Sequence, residues 1–395
     1  MLQDGTDFTK IGGFTMRRNW PILVKLTTIA SLKSPTLPDG QLVLFSKGMG
    51  GRSEEKHLVL QVPATMSALL AVPEDEVQAR APDSNGIDLV VSVAGRTFAV
   101  EIVSASAAGP VAAHAERAAE AAKAIHKRAI PVVAVPFMGE SGKQACERAG
   151  VSWFDFSGNA HIIAPGIRVI VEGRPNQFRA RGRPASAFAP KSSRVARYLL
   201  MHPGEAVIQR EIARVTGVSE GFVSRIVARL EEEHYVGRDE GGALRVKDPR
   251  LLLDAWREQY RFSKHTIAQG HVAARSGDAL AHFVGDTLKA RAVEHAATGL
   301  AAAWQLTRFA TFRIATFYLD AEPSTALRDE LGFREDARGA NLWLVVPNDD
   351  GVFQGAEERD GLRCVHPVQV YLDLKEHPER AAEAAERLRA ELLNW

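Results

Sequence analysis

Apolar runs and helix-patterned segments alternate between Ile87 and Gly173. "IDLVVSVAG" and "RTFAVEIVSA" meet at Ala94-Gly95, the pattern of two strands closed by a tight turn. "PVAAHAERAAEAAKAIHKRA" is Ala-rich with mixed charges and predicts a helix. "IPVVAVPF" is an unbroken β-branched run, as in a strand buried on both faces. "SGKQACERAG" predicts a short helix ending at Gly150. "VSWFDFSGNAHII" and "GIRVIVEG" predict two more strands. Strands alternating with helices make residues 81–173 an α/β domain. In residues 1–80, "QLVLFSKG" and "HLVLQVPA" read as short strands around Gly-rich "GMGGRSEEK", which predicts a strand-rich extension.

The pattern changes at residue 191. "SSRVARYLLMHP", "VIQREIARVTG" and "SEGFVSRIVARLEEEHYV" predict three helices, and "GRDEGGALRVKDP" a hairpin turning at Gly241-Gly242. Gly217 permits a sharp turn before the third helix and Ser219 is placed to cap it. Val223, Ile226, Val227 and Leu230 recur at three- and four-residue spacing and form the buried stripe. Glu220, Gly221, Phe222, Ser224, Arg225 and Arg229 are left for the outer face. Residues 249–395 mix helices ("PRLLLDAWREQY", "ATGLAAAWQLT") with strands ("FRIATFYL", "NLWLVVP"). His366-Pro367 opens a further helix, and an amphipathic helix over about 377–393 packs on its own domain or meets a partner. The expected class is α/β and α+β multidomain: an extension, an α/β domain, a linker over 174–190, a three-helix domain over 191–248 and an α+β domain over 249–395.

Composition narrows the function. The chain has 395 residues, 46% hydrophobic and 25% charged, with a formal net charge of +1. Any affinity for nucleic acid must therefore come from a local patch. One such patch runs from Arg174 to Arg197, with seven Arg or Lys and no acid. Two cysteines, Cys146 and Cys364, exclude a disulfide framework and a cysteine zinc site. No apolar run reaches the roughly 18 residues of a membrane span. "MLQDGTDFTK" lacks the features of a secretion leader, so a cytoplasmic, nucleoid-associated protein is expected. Neither a Walker loop nor a Gly-x-Ser-x-Gly elbow is present, and no cofactor or metal is expected.

"EIARVTGVSEGFVSRIVARLEEEHYV" resembles the winged helix-turn-helix of bacterial transcription regulators. An outer face bearing Ser219, Gly221, Phe222, Ser224, Arg225 and Arg229 suits a major groove, because Arg pairs bidentately with guanine and Ser bonds base or phosphate. Arg238, Arg245 and Lys247 on the hairpin are placed to meet phosphate. "RGRP", Arg181 to Pro184, resembles the core of an AT-hook. Arg179, Arg181 and Arg183 would lie in the negative potential of a narrow minor groove. The alternative for this stretch is a solvated linker.

Asp88 and Glu101 sit on neighbouring strands of the first hairpin. An Asp, about a dozen residues, then Glu-x-Lys resembles the metal-binding core of the restriction-endonuclease-like fold. Here Val103 takes the lysine's place, which marks a degenerate version; Lys123 or Lys127 could substitute, and a surface arginine such as Arg96 could instead pair with the acids. "RAGVSWFDFSGNAHI", with Asp155, Gly158, Asn159 and Ala160, together with "TGLAAAW" and "VHPVQVYLDL", resembles the AbiEi-type regulators, antitoxins of type IV toxin–antitoxin systems. The resemblance implies a transcriptional regulator that binds double-stranded DNA, with a nucleotidyltransferase-like toxin or a second copy of itself as partner, and no enzyme activity. Two other readings stand beside it: a sequence-independent DNA-binding protein of repair or nucleoid type, and a metal-dependent nuclease using Asp88 and Glu101.

Overall fold

The computed structural model describes residues 9–11, 14–16, 22–24, 51–82, 87–178, 186–336 and 338–395. Two compact units result, Met1–Gly182 and Arg183–Trp395. Among the described residues no helix is long and apolar enough to cross a membrane. The run "QLVLFSKG" and the arginines Arg179, Arg181 and Arg183 lie outside the described residues.

The first unit is built on an eight-stranded mixed sheet. At its centre Arg96–Ile102, Ile130–Val135 and Ser152–Asp155 run parallel. Leu89–Val93 pairs antiparallel with Arg96–Ile102 through the expected turn. Ala94 and Gly95 both take positive φ (50° and 69°), the backbone that a two-residue hairpin needs. The central run "IPVVAVPF" faces both ways: Val133 and Val135 pack under helices Ala108–Ile125 and Glu140–Ala149. Val132 and Ala134 pack on the opposite side with Phe98, Phe154 and Ile162.

That opposite side is covered by a helix where a strand was expected. "HLVLQVPA" lies inside the helix Gly51–Leu70, despite Pro63. Leu58, Val62 and Met66, four residues apart, are all buried against the sheet, and this spacing outweighs the single backbone hydrogen bond lost at proline. "VSWFDFSGNAHII" also departs from expectation. It makes two strands, Ser152–Asp155 and Ala160–Ala164, folded back on each other.

The reason lies in Asp155 and Asn159. Both are buried, and Asp155 accepts hydrogen bonds from the backbone N–H of Met138 (3.1 Å), the N–H of Asn159 (2.8 Å) and the Asn159 amide (2.9 Å). Asn159 spends the rest of its amide on Arg174, donating to its carbonyl (3.1 Å) and accepting from its N–H (2.8 Å). Gly158, at φ 100°, completes the turn. The Asp-x-x-Gly-Asn element is thus a clasp that closes the sheet and fixes where the chain leaves it.

In the second unit the three expected helices are Ser193–Met201, Gln209–Thr216 and Glu220–Glu232. The wing is the antiparallel pair Val236–Arg238 and Leu244–Val246, joined on its other side by a bridge from Val207. Helix Pro249–Gln259 leads into a seven-stranded sheet that includes Thr266–His271, a strand absent from the sequence expectations. Helix Ala381–Leu392 packs on its own domain through Ala381, Ala384, Ala385 and Leu388. Arg389 holds it there with a bidentate pair to Asp254.

Candidate nucleic-acid interface

The recognition helix Glu220–Glu232 is set by its core stripe. Val223, Ile226, Val227 and Leu230 are all buried, as their spacing predicts. Gly217 turns the chain into it at φ 67°, and Val218 is buried in that turn. Ser219 occupies the N-cap position with extended backbone, but its hydroxyl makes no capping bond. Ser219 is exposed, as are Gly221, Ser224 and Arg225.

Phe222 is half-buried and lies between two cations. The Lys191 ammonium is 5.6 Å from its ring centre and the Arg225 guanidinium 5.7 Å. Such cation–π contacts orient a charged group without neutralising it. Lys191 was not among the candidates from the sequence, where it lay in the basic stretch rather than on the outer face. Only the packing of Ser193–Met201 against the recognition helix brings it there.

Three of the other basic candidates, Arg229, Arg238 and Arg245, are already partnered. Arg229, expected on the outer face, is half-buried and paired with Glu233 at 2.9 Å, one turn on. Arg238 pairs with Glu231 at 2.7 Å and donates to the carbonyl of Gly242. Arg245 donates to the carbonyl of Gly204 at 2.6 Å, with Asp239 3.7 Å away. Arg238 and Arg245 remain partly exposed, and surface pairs of this kind are worth under about 1 kcal/mol, so phosphate can compete for them. Lys247 is exposed, its stem lying across Gly237.

Not all of the basic stretch faces outward. Arg194 is one-fifth exposed and makes a two-pronged pair with Asp349 at 2.7 and 2.9 Å. Arg197 is 2% exposed and lies 5.1 Å from the Trp256 ring. Both were counted as charge for a partner, yet they bind the winged helix to the domain that follows. Phe188 is buried between Tyr235 and Trp256.

In the first unit, Asp88, Glu101 and His114 bring ligand-type atoms within 4.8 Å of one another. Asp88 accepts from the N–H of Ile102 at 2.7 Å. Burial raises the Asp88 carboxyl above its ordinary value, opposed by that bond. Glu101 is buried and bonds His114 at 2.7 Å and Arg117 at 3.0 Å. Its arginine partner is thus Arg117 of the following helix, not Arg96, whose guanidinium lies beside Gly166. Lys123 and Lys127 are exposed. These groups could hold a divalent cation through two carboxylates and an imidazole, with Arg117 competing for Glu101.

The second unit also carries a buried polar network that the sequence did not suggest. Asp373 is fully buried and accepts from Tyr260 (2.5 Å), Gln369 (2.7 Å), Tyr318 (3.0 Å) and Thr298. His265 accepts at Nδ1 from the Asn348 N–H (3.0 Å), so its other nitrogen carries the proton toward Tyr260, 2.8 Å away. Burial pushes His265 down to about 4, which keeps it neutral. Burial raises Asp373 to about 6, its four donors only partly offsetting the cost. The folded state therefore holds this proton more tightly than the unfolded chain, whose carboxyl titrates near 3.8. Asp373's contribution to stability should fall as pH rises from about 4 to about 6, by roughly 3 kcal/mol in all. Urea unfolding of wild type and Asp373→Asn at pH 5 and 7.5 checks this. The wild type should lose more stability than the variant between the two; an equal loss would place the titration elsewhere.

A three-helix core followed by a two-stranded wing makes a winged helix-turn-helix domain. Comparison with known families agrees. Residues 189–243 match the MarR family. Residues 245–394 match the family described as transcriptional regulator, AbiEi antitoxin, type IV toxin–antitoxin system. The chain thus carries a winged-helix DNA-binding domain joined to an AbiEi-type transcription-regulator region. No curated protein and no solved structure matches it.

Proposed function

We propose that this chain is a sequence-reading repressor of the antitoxin type, which enters the major groove of double-stranded DNA with the start of helix Glu220–Glu232. The observation that carries this is the exposed group Ser219, Gly221, Ser224 and Arg225 beside Phe222, with Lys191 and Arg225 over the ring. Arg225 can face guanine, Ser224 base or phosphate, and Lys191 phosphate. Lys247, Arg238 and Arg245 on the wing take flanking phosphates, and Arg229 supports the helix through Glu233. Arg179, Arg181 and Arg183 act as an arm in the adjacent minor groove. A nucleotidyltransferase-like toxin and a second copy of the chain are the protein partners, and the protein acts on the nucleoid.

The test is binding to its own promoter fragment and to a scrambled duplex across a salt series. The promoter should win by on the order of 10³ or more. Replacing Arg179, Arg181 and Arg183 together by alanine should reduce the salt slope by about 2 to 3, since each lost phosphate contact removes nearly one unit. Equal affinity for both duplexes would replace the repressor with a sequence-independent binder. An unchanged slope in the triple variant would make "RARGRP" a linker only.

The convergence of Asp88, Glu101 and His114 favours one second reading, a metal-dependent nuclease. Plasmid cleavage in Mn²⁺ that disappears in Asp88→Ala would establish it. The expected result is no cleavage.

A further inference from the structure

Two arginines of helix Ser193–Met201 tie the winged helix to the carboxy-terminal region. Arg194 bridges in both directions. Its guanidinium is clamped by Asp349 and also donates to the carbonyl of Thr216 at 3.3 Å. Thr216 is the last residue before the Gly217 turn that launches the recognition helix. The clamp therefore connects the carboxy-terminal region directly to the base of the reading element.

Arg197 is held differently. It is buried, and among the described residues its one hydrogen-bond acceptor is the Gln369 side-chain oxygen at 2.5 Å. Among the described residues its Nε and Nη1 have no hydrogen-bond partner. An arginine buried without a carboxylate is costly, so the direction in which Gln369 points matters. That direction is set by Asp373. Gln369 gives its amide N–H to Asp373, which turns its oxygen to Arg197. Were Asp373 to carry a proton on Oδ1, the oxygen that faces Gln369, that oxygen would donate there rather than accept, while Oδ2 would go on accepting. Gln369 could then turn its oxygen to Asp373 and present N–H to Arg197, donor against donor.

Resting on the DNA-reading function above, we propose that Arg194 and Arg197 are positioning residues through which the carboxy-terminal region holds the recognition helix in its reading pose, with Gln369 and Asp373 setting the hold on Arg197. Gly351 marks how closely the parts fit. A methyl there would lie 2.6 Å from Asp349, 2.7 Å from Arg194 and 2.9 Å from Arg197. The groups that face Asp373 and Gln369 are Tyr260, Tyr318, Thr298 and Arg197, with His265 behind the two tyrosines. His265 is already neutral and the tyrosines are raised far above their usual range, so Asp373 is the member that titrates near neutrality.

The test measures the ratio of promoter to scrambled-duplex affinity in the full chain. It compares wild type with Arg197→Met, Asp349→Asn and Asp373→Asn at pH 5.5 and 7.5, with a salt series for each. Methionine keeps an unbranched stem against Trp256, and Asp349→Asn, near the surface, stands in should Arg197→Met not fold. In wild type the ratio should fall by up to about fourfold on going to pH 5.5, since about a quarter of Asp373 stays ionised there. In Asp373→Asn it should not change with pH. Arg197→Met and Asp349→Asn should lower the ratio about tenfold at pH 7.5 with the salt slope unchanged, since neither residue meets phosphate. Ratios within twofold of wild type in both variants, or the same pH profile in wild type and Asp373→Asn, would overturn the inference and leave the DNA reading intact. A wild type that prefers neither duplex would remove both together.

Discussion

Arg225→Ala is expected to weaken promoter binding by about 1–3 kcal/mol, or roughly 5- to 150-fold, while affinity for a scrambled duplex falls much less. Arg225 is the exposed cation at the start of the recognition helix, and Phe222 holds its guanidinium in place. A guanidinium that forks onto one base pair discriminates; the same charge on a phosphate only adds affinity. Arg225→Lys separates the two. Lysine keeps the charge and loses the fork, so it should behave like alanine on the promoter and like wild type on scrambled DNA. Equal losses on both duplexes, with the salt slope lower by about 1, would instead make Arg225 a phosphate contact. Phe222→Ala should lose a smaller part of the preference, because it frees both cations without removing either.

The largest expected effect on stability is in the first unit. Asp155→Ala leaves the N–H groups of Met138 and Asn159 and the Asn159 amide without their acceptor, all of them buried. Each stranded donor costs about 1–3 kcal/mol, so a loss of at least about 3 kcal/mol is expected. Asp155→Asn keeps one acceptor oxygen and should lose less. The measurement is hydrogen exchange at strands Ile130–Val135 and Ser152–Asp155, whose amides should lose protection. Strands of the second unit serve as the control, since Asp155 bonds nothing there. Undiminished protection at both strands would show that the clasp is ornamental to the fold.

Much of this was legible in the sequence because local pattern and final burial agreed. The stripe from Val223 to Leu230, the Ala94-Gly95 turn and the buried run Ile130–Val135 each needed only periodicity and turn chemistry. Helix Gly51–Leu70 was misread because "HLVLQVP" carries β-branched residues and a proline; its four-residue spacing was the better guide. Strand Thr266–His271 went unseen for a different reason. Its residues are mostly half-exposed, and no apolar run marks it. At the site, Ser219, Gly221, Phe222, Ser224 and Arg225 could be found from helix geometry. The pairing of Arg229 with Glu233 was also open to view, four residues apart. Lys191 and the inward turn of Arg194 and Arg197 were not. Their roles depend on partners 31, 155 and 172 positions away, at Phe222, Asp349 and Gln369, which only the tertiary fold supplies.

The burial of Phe188 between Tyr235 and Trp256 has a consequence for the length of DNA the protein can cover. That ring moors the chain just after Arg183 to the winged helix. Counting back, Arg183 lies five residues upstream and Arg179 nine. A fully extended chain gains at most about 3.3–3.6 Å per residue, so the two reach no farther than about 18 Å and 32 Å from the mooring. With base pairs about 3.4 Å apart, that is roughly five to nine steps along the duplex. The arm could thus lengthen the protected footprint by less than one helical turn, on the side where Phe188 sits. On the proposed reading, an operator for this protein would carry its A·T-rich element within one helical turn of the half-site, a limit set by where Phe188 is buried.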